Sequence, residues 1–180
     1  MSVMDDLESV LFTEEQLQKR VAEMGAQISR DYEGRNPVFI GVLKGSFMFM
    51  ADLVRRVDTP CTIDFMAVSS YGNATKTTGA VKINKDLSQD IEGRHVIIVE
   101  DILDSGVTLS YLTRYLMNRN PASLAIATLL DKPARRVADI HADYAGFDCP
   151  DGFVVGYGLD YAQDYRCLPC IGILKPEIYA

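Results

Sequence analysis

The chain has 180 residues, 48% hydrophobic and 24% charged, with only 13 glycines and 7 prolines, which excludes a collagen-like or broadly disordered chain and leaves one ordinary globular domain. Eighteen basic residues against 25 acidic ones give a net charge of −7, a balance that argues against a general nucleic-acid binder. No apolar run approaches the length of a bilayer span, and Met1-Ser2-Val3-Met4-Asp5-Asp6 lacks the basic start and apolar stretch of a signal peptide, so a cytoplasmic protein with no membrane partner is expected.

In chain order, Thr13 with Gln16 reads as a capping box, and Leu17, Val21, Met24 and Ile28 follow at helical spacing. The helix should stop near Tyr32, because Gly34, Asn36 and Pro37 come next. Residues 38–43 are apolar on both faces, as in a strand covered on both sides. A second helix is expected over residues 46–56 and a strand over 61–68. Residues 69–79 are polar, with Thr75, Thr77, Thr78, Gly72 and Gly79, and read as a long loop or hairpin tip. Residues 96–99 form another buried strand, 106–117 a helix and 123–130 a further strand. The turn Asp151-Gly152 introduces a last clear strand over 153–157. The region after Lys132 has weaker periodicity and suits a small lobe. Alternating strands and helices predict a single α/β domain, residues 1–180, with a mainly parallel twisted sheet flanked by helices.

The most informative stretch runs Val96-Ile97-Ile98-Val99-Glu100-Asp101-Ile102-Leu103-Asp104-Ser105-Gly106-Val107-Thr108. A buried strand ends in two adjacent carboxylates, then a short hydroxyl- and glycine-bearing loop opens a helix. In open α/β sheets this edge binds ligands. Free N–H groups at the helix start attract an anion, and Gly106 lets the backbone approach it closely. The loop therefore suits a phosphate. Glu100 and Asp101 repel phosphate but suit sugar hydroxyls or a hard cation such as Mg²⁺. A sugar phosphate with its metal satisfies both parts. An acidic helix start, in which Asp and Ser only cap orphan N–H groups, satisfies the residue types as well.

This stretch resembles the phosphoribosyl-pyrophosphate-binding signature of the type I phosphoribosyltransferases. Its variable position, Asp104, is similar to that of the 6-oxopurine members, the hypoxanthine-guanine enzymes. Other blocks carry the likeness along most of the chain. Leu43-Lys44-Gly45-Ser46 resembles the family's pyrophosphate loop, where a non-proline cis peptide precedes the lysine. Ser70-Tyr71-Gly72 opens a segment similar to the mobile catalytic loop. Leu130-Asp131-Lys132-Pro133 resembles the site of the purine-contacting lysine, and Phe153 to Tyr161 the purine-stacking strand, with Arg166 following.

The resemblance implies a type I phosphoribosyltransferase fold. Its small base-binding hood would come from the N-terminal segment and the region after about residue 132. It also implies Mg²⁺-dependent transfer of a 5-phosphoribosyl group from phosphoribosyl pyrophosphate to a 6-oxopurine, releasing pyrophosphate. Asp104 would be the general acid/base. Ser105, Gly106, Val107 and Thr108 would hold the 5′-phosphate. Glu100 and Asp101 would bind the ribose hydroxyls, directly or through metal. Lys44 and Gly45 would meet pyrophosphate, Asp160 a second Mg²⁺, and Arg166 the same pyrophosphate. Lys132, a donor only, suits a 6-oxo acceptor and rejects adenine. Phe153 would stack on the base, Val154 would offer backbone groups to its edge, and Ser70 and Tyr71 would lie on a closing lid. A homodimer or homotetramer is implied by analogy.

Bland readings stand beside these. Asp104 also suits a helix cap, Lys44 a surface lysine, and Phe153 a core residue. Cys167-Leu168-Pro169-Cys170 has redox or zinc spacing, but the remaining ligand candidates, Cys61, Cys149, His95 and His141, lie at irregular intervals. Packing suits these cysteines better. At the level of function, a regulator that senses phosphoribosyl pyrophosphate and a transferase for xanthine or a pyrimidine compete with 6-oxopurine salvage.

Overall fold

The computed structural model describes residues 2–70 and 81–180. Residues 71–80, which carry the expected lid residue Tyr71, lie outside the described residues. The chain runs β1 (Leu7–Phe12), α1 (Glu14–Asp31), β2 (Val38–Leu43), α2 (Phe47–Val54), β3 (Thr62–Ser70), β4 (Val81–Lys85), β5 (His95–Leu103), α3 (Val107–Met117), β6 (Ser123–Asp131), β7 (Tyr144–Asp148), β8 (Val154–Val155), β9 (Ile171–Leu174) and α4 (Pro176–Tyr179). The Thr13 and Gln16 capping box forms as the sequence predicts, and Tyr32 is the C-cap of α1.

Six strands make the main sheet, in the order β4-β3-β2-β5-β6-β7. Only the β3–β4 hairpin is antiparallel; every other neighbouring pair is parallel. Strand alternation sorts the core onto two faces. On one face Phe39, Ile97, Val99 and Leu129 pack with Leu17, Val21, Met24 and Ile28 of α1 and Phe49, Met50 and Leu53 of α2. On the other, Val38, Ile40, Val96 and Ile98 pack with Leu109, Leu112 and Leu116 of α3. The sheet is therefore covered on both sides, which explains the unbroken apolar runs of β2 and β5.

A second, three-stranded antiparallel sheet joins β1, β9 and β8. It contains two elements the sequence reading lacks, β1 and β9. The expected strand over 153–157 is also corrected. It shrinks to Val154–Val155, because Gly156, Tyr157 and Gly158 all take positive φ, at 102°, 52° and 103°. Such left-handed backbone cannot continue a strand. Nor is 153–157 the last strand, since Ile171–Leu174 follows.

Chain direction in the main sheet diverges between β2 and β5. From β2 the order proceeds outward to β3, and from β5 it proceeds the other way to β6. Loops leaving the carboxyl ends of two such strands turn apart and open a crevice. Here those loops are Lys44–Ser46 and Asp104–Gly106.

Candidate active site

The loop after β5 is shaped by its glycine. Gly106 has φ +80° and is the N-cap of α3, which has no side-chain cap. A Cβ at Gly106 would stand 2.6 Å from Ile140 Cγ2 and 3.0 Å from Arg136 Cδ, so both backbone conformation and space demand glycine. Gly106, Thr108 and Leu109 at the start of α3 line one cavity with Ser105, and the Val107 N–H has only a long contact of 3.5 Å to Ser105 Oγ. The arrangement is a helix N-terminus open to an anion.

Arg136 holds this loop in place. Its guanidinium donates to the carbonyls of Leu103 (3.0 Å), Asp104 (2.9 Å) and Ile140 (2.7 Å), and pairs with the Asp131 carboxylate. The Ser105 carbonyl accepts from the N–H groups of Val137 and Ala138. Sequence reasoning missed Arg136. Its partners Leu103 and Asp104 lie more than thirty residues away, and no local pattern announces them.

Glu100 and Asp101 sit side by side at the end of β5. Asp101 Oδ1 accepts from the Ile102 N–H at 2.8 Å. Burial first, then the Asp101 charge, pushes Glu100 well above the usual carboxylate range. Burial also raises Asp101, against the opposing effects of the Glu100 hydrogen bond, backbone N–H groups and Arg166. Two hard oxygen donors crowded into one site in this way suit a hard cation. Among the described residues no three acidic, His or Cys side chains converge into a metal cage.

The loop after β2 meets the same carboxylates. The Leu43–Lys44 peptide is cis. Gly45 packs directly on Asp101: a Cβ there would fall 1.8 Å from Asp101 Oδ2. Gly158 in turn lies on Gly45, with an added Cβ 2.1 Å from the Gly45 carbonyl oxygen. Lys44 is exposed and donates to Gln163 Oε1 at 3.0 Å. Arg166 donates to the Gly158 carbonyl (2.7 Å) and pairs with Asp160 Oδ1 (3.0 Å), whose Oδ2 accepts from the Gln163 N–H. Lys44, Gly45, Asp160 and Arg166 thus gather around one crevice. Gln163, which joins Lys44 to this group, was not singled out in the sequence.

Beside the crevice lies a cavity of about 150 Å³ whose wall includes Asp104, Lys132, Arg135, Phe153, Val154 and Asp160. Asp104 Oδ1 is buried, has Arg135 Nε 3.6 Å away, and finds no hydrogen-bond partner among the described residues. The Asp104 side chain as a whole is about two-fifths exposed and lines the cavity, so its carboxylate can meet a ligand there. Lys132 is 3% exposed, and its ammonium donates to the Gly152 carbonyl at 3.0 Å. A buried lysine must be paired, and here part of its donor capacity faces the cavity. Phe153 is 37% exposed, so it is not a core residue. Val154 is buried in β8, paired with Ile173. Arg135, which the sequence reading did not single out, lies on the same wall.

Ser70 ends β3 opposite Val81. Cys167 is exposed whereas Cys170 is buried within 3.9 Å of Met4 Sδ, so the two thiols of the C-x-x-C spacing occupy different surroundings.

Comparison with known proteins agrees with this geometry. Residues 11–162 match the model of the phosphoribosyl transferase domain. The chain is 56% identical to the hypoxanthine-guanine phosphoribosyltransferase of Bacillus subtilis (strain 168), over 97% of both chains. A crystal structure of a hypoxanthine phosphoribosyltransferase from Staphylococcus aureus superposes with a TM-score of 0.96 at 56% identity, covering 99% of this chain and 98% of that one. The hypoxanthine phosphoribosyl transferase of Trypanosoma cruzi superposes with a TM-score of 0.93 at 45% identity, covering 97% and 95%. With the anion-binding helix start, the carboxylate pair and the lysine-bearing cavity assembled on one sheet edge, the chain belongs to the phosphoribosyltransferase family and is a phosphoribosyltransferase of the type I fold.

Proposed function

We propose that the enzyme serves purine salvage by transferring the 5-phosphoribosyl group of phosphoribosyl pyrophosphate to hypoxanthine and guanine, giving IMP or GMP and pyrophosphate. One observation carries the choice of acceptor: Asp104 and Lys132, at the ends of neighbouring strands β5 and β6, face one cavity that Phe153 flanks. An acceptor carboxylate and a donor-only ammonium on one wall match a purine edge that offers an N7 proton beside a 6-oxo group. Adenine presents a 6-amino donor to the lysine and is rejected.

The 5′-phosphate sits on the N–H groups opening α3, with the hydroxyls of Ser105 and Thr108 and the backbone of Gly106 and Val107. Glu100 and Asp101 take the ribose hydroxyls. Lys44, Gly45 and Arg166 take the pyrophosphate. Glu100 and Asp101, and Asp160 at a second position, would hold Mg²⁺, which would neutralise charge on the leaving pyrophosphate. As the base attacks the ribose carbon, the Asp104 carboxylate accepts the N7 proton, a contribution of roughly 10²- to 10⁴-fold. Lys132 orients the ring through its 6-oxo oxygen, and Phe153 stacks on it.

The test is nucleotide formation from phosphoribosyl pyrophosphate and Mg²⁺ with hypoxanthine, guanine, xanthine, adenine and uracil in parallel. Turnover of hypoxanthine and guanine with adenine and uracil inert is the expected result. Donor binding without turnover of any base would replace the enzyme with a sensor.

A further inference from the structure

Phe153 has little to hold it. It precedes β8, is 37% exposed, and follows the Asp151-Gly152 turn. Its ring nevertheless has two defined partners. Tyr179 stacks on it, with centroids 5.0 Å apart and planes 26° apart. Tyr161 meets it edge-on, at 5.5 Å and 90°. The two tyrosines are themselves 6.5 Å apart, so three rings form one cluster.

The short helix α4 that carries Tyr179 is anchored independently of the cavity. The Lys175 N–H donates to the Asp6 carbonyl at 3.0 Å and the Lys175 ammonium to the Asp5 carbonyl at 2.5 Å. Ile178 packs with Leu7, Val155 and Leu174. Tyr179 is thereby presented from a fixed base.

Two cavities share Phe153. The one with Asp104 and Lys132 does not include Tyr179. The other, about 410 Å³, is walled by Arg135, Asp151, Gly152, Phe153 and Tyr179. Arg135, Gly152 and Phe153 line both cavities, and Tyr179 lines only the larger one.

We propose that Tyr179 is a positioning residue for the base: by stacking on Phe153 from outside, it fixes the ring against which the purine stacks. This rests on the base-pocket reading above. A ring already held by one stack gives up less freedom when it makes the second, so the benefit falls on base binding. Tyr179 lines neither the cavity that holds Asp104 nor the one around Ser105 and Thr108, so donor binding and proton transfer should be unaffected. The ring, not the hydroxyl, does this, since the contact is a stack.

Steady-state kinetics with both substrates varied, on the wild type, Tyr179→Ala, Tyr179→Phe and Phe153→Ala, decide it. Tyr179→Ala should raise KM for hypoxanthine about three- to tenfold and leave kcat and KM for phosphoribosyl pyrophosphate unchanged. Tyr179→Phe should return KM for hypoxanthine to the wild-type value. Phe153→Ala should raise it further. If Phe153→Ala weakens the base and Tyr179→Ala does not, the positioning role is wrong and the pocket stands. A fall in KM with Tyr179→Ala would show that Tyr179 competes with the base, which also overturns it. If Phe153→Ala leaves KM unchanged, the base-pocket reading itself fails and takes the proposal with it.

Discussion

Replacing Lys132 with alanine separates two tasks that one ammonium performs. Its three N–H groups are divided. One goes to the Gly152 carbonyl at 3.0 Å, and Asp151 Oδ1 stands 3.5 Å away on a side chain that is 87% exposed, a screened pairing of small worth. The remaining capacity is the donor we assign to the 6-oxo group. A charge-assisted hydrogen bond of this kind contributes about 1.5–3 kcal/mol, so kcat/KM for hypoxanthine should fall about 10- to 150-fold. Adenine gains rather than loses, because its amino group no longer faces a donor. The ratio of hypoxanthine to adenine kcat/KM should therefore drop at least about tenfold. Stability changes separately. The Gly152 carbonyl loses its partner at a cost of about 1 kcal/mol, since this half-exposed glycine leaves water some access. The assay is kcat/KM for both bases at saturating donor, with thermal unfolding measured on the same samples. If both rates fall together and the ratio holds, Lys132 supports the 151–152 turn and does not read the base.

Arg136→Ala removes the guanidinium from the Asp104 and Ile140 carbonyls and from Asp131; urea unfolding should show a loss of about 2–5 kcal/mol. Steady-state kinetics should show kcat down at least about tenfold as the Asp104 loop loosens, and an unchanged kcat would leave Arg136 a purely structural role. Asp64 predicts acid sensitivity. Burial acts to raise it, but N–H groups of Phe65, Ser88 and Gln89 and the Lys85 charge outweigh burial and hold it below its ordinary value. A depressed native pKa stabilises the fold above the unfolded value and is lost as pH falls through the native one. Urea midpoints should therefore drop as pH falls below about 4 and through the depressed native value, and Asp64→Asn should flatten that slope while lowering stability at neutral pH. An unaltered slope would remove Asp64 from the acid response.

The legible parts of the sequence were those whose partners are local or whose burial is complete. Strands β2, β5 and β6 stand out because both faces are covered. The Thr13 cap and the Gly34–Pro37 stop bracket α1 as read. Strands β1, β4, β7 and β9 were missed for a physical reason. They are short, three of the four (β1, β4 and β7) are edge strands, and β1 and β4 pair with register shifts, so no clean alternation marks them. The aromatic strand was drawn too long because its apolar residues continue past the point where positive φ angles break it. At the site, the loop after β5 was legible from its residue types, whereas Lys44, Lys132, Phe153, Asp160 and Arg166 were singled out by the family resemblance alone. Arg135, Arg136, Gln163 and Tyr179 were missed, since each acts through a neighbour distant in sequence.

The central claim is that the acid following β5 takes the base's proton. Asp104→Asn keeps the shape of the side chain and removes its ability to accept that proton. The direct measurement is turnover with hypoxanthine alongside equilibrium binding of phosphoribosyl pyrophosphate to the same variant. Turnover should fall roughly 10²- to 10⁴-fold with donor affinity preserved, because the cradle of Ser105 to Thr108 is untouched. Turnover equal to the wild type would contradict the account and remove Asp104 from the acid/base role; a helix-cap role is not open to it, because Gly106 is the N-cap of α3 and no side chain caps that helix.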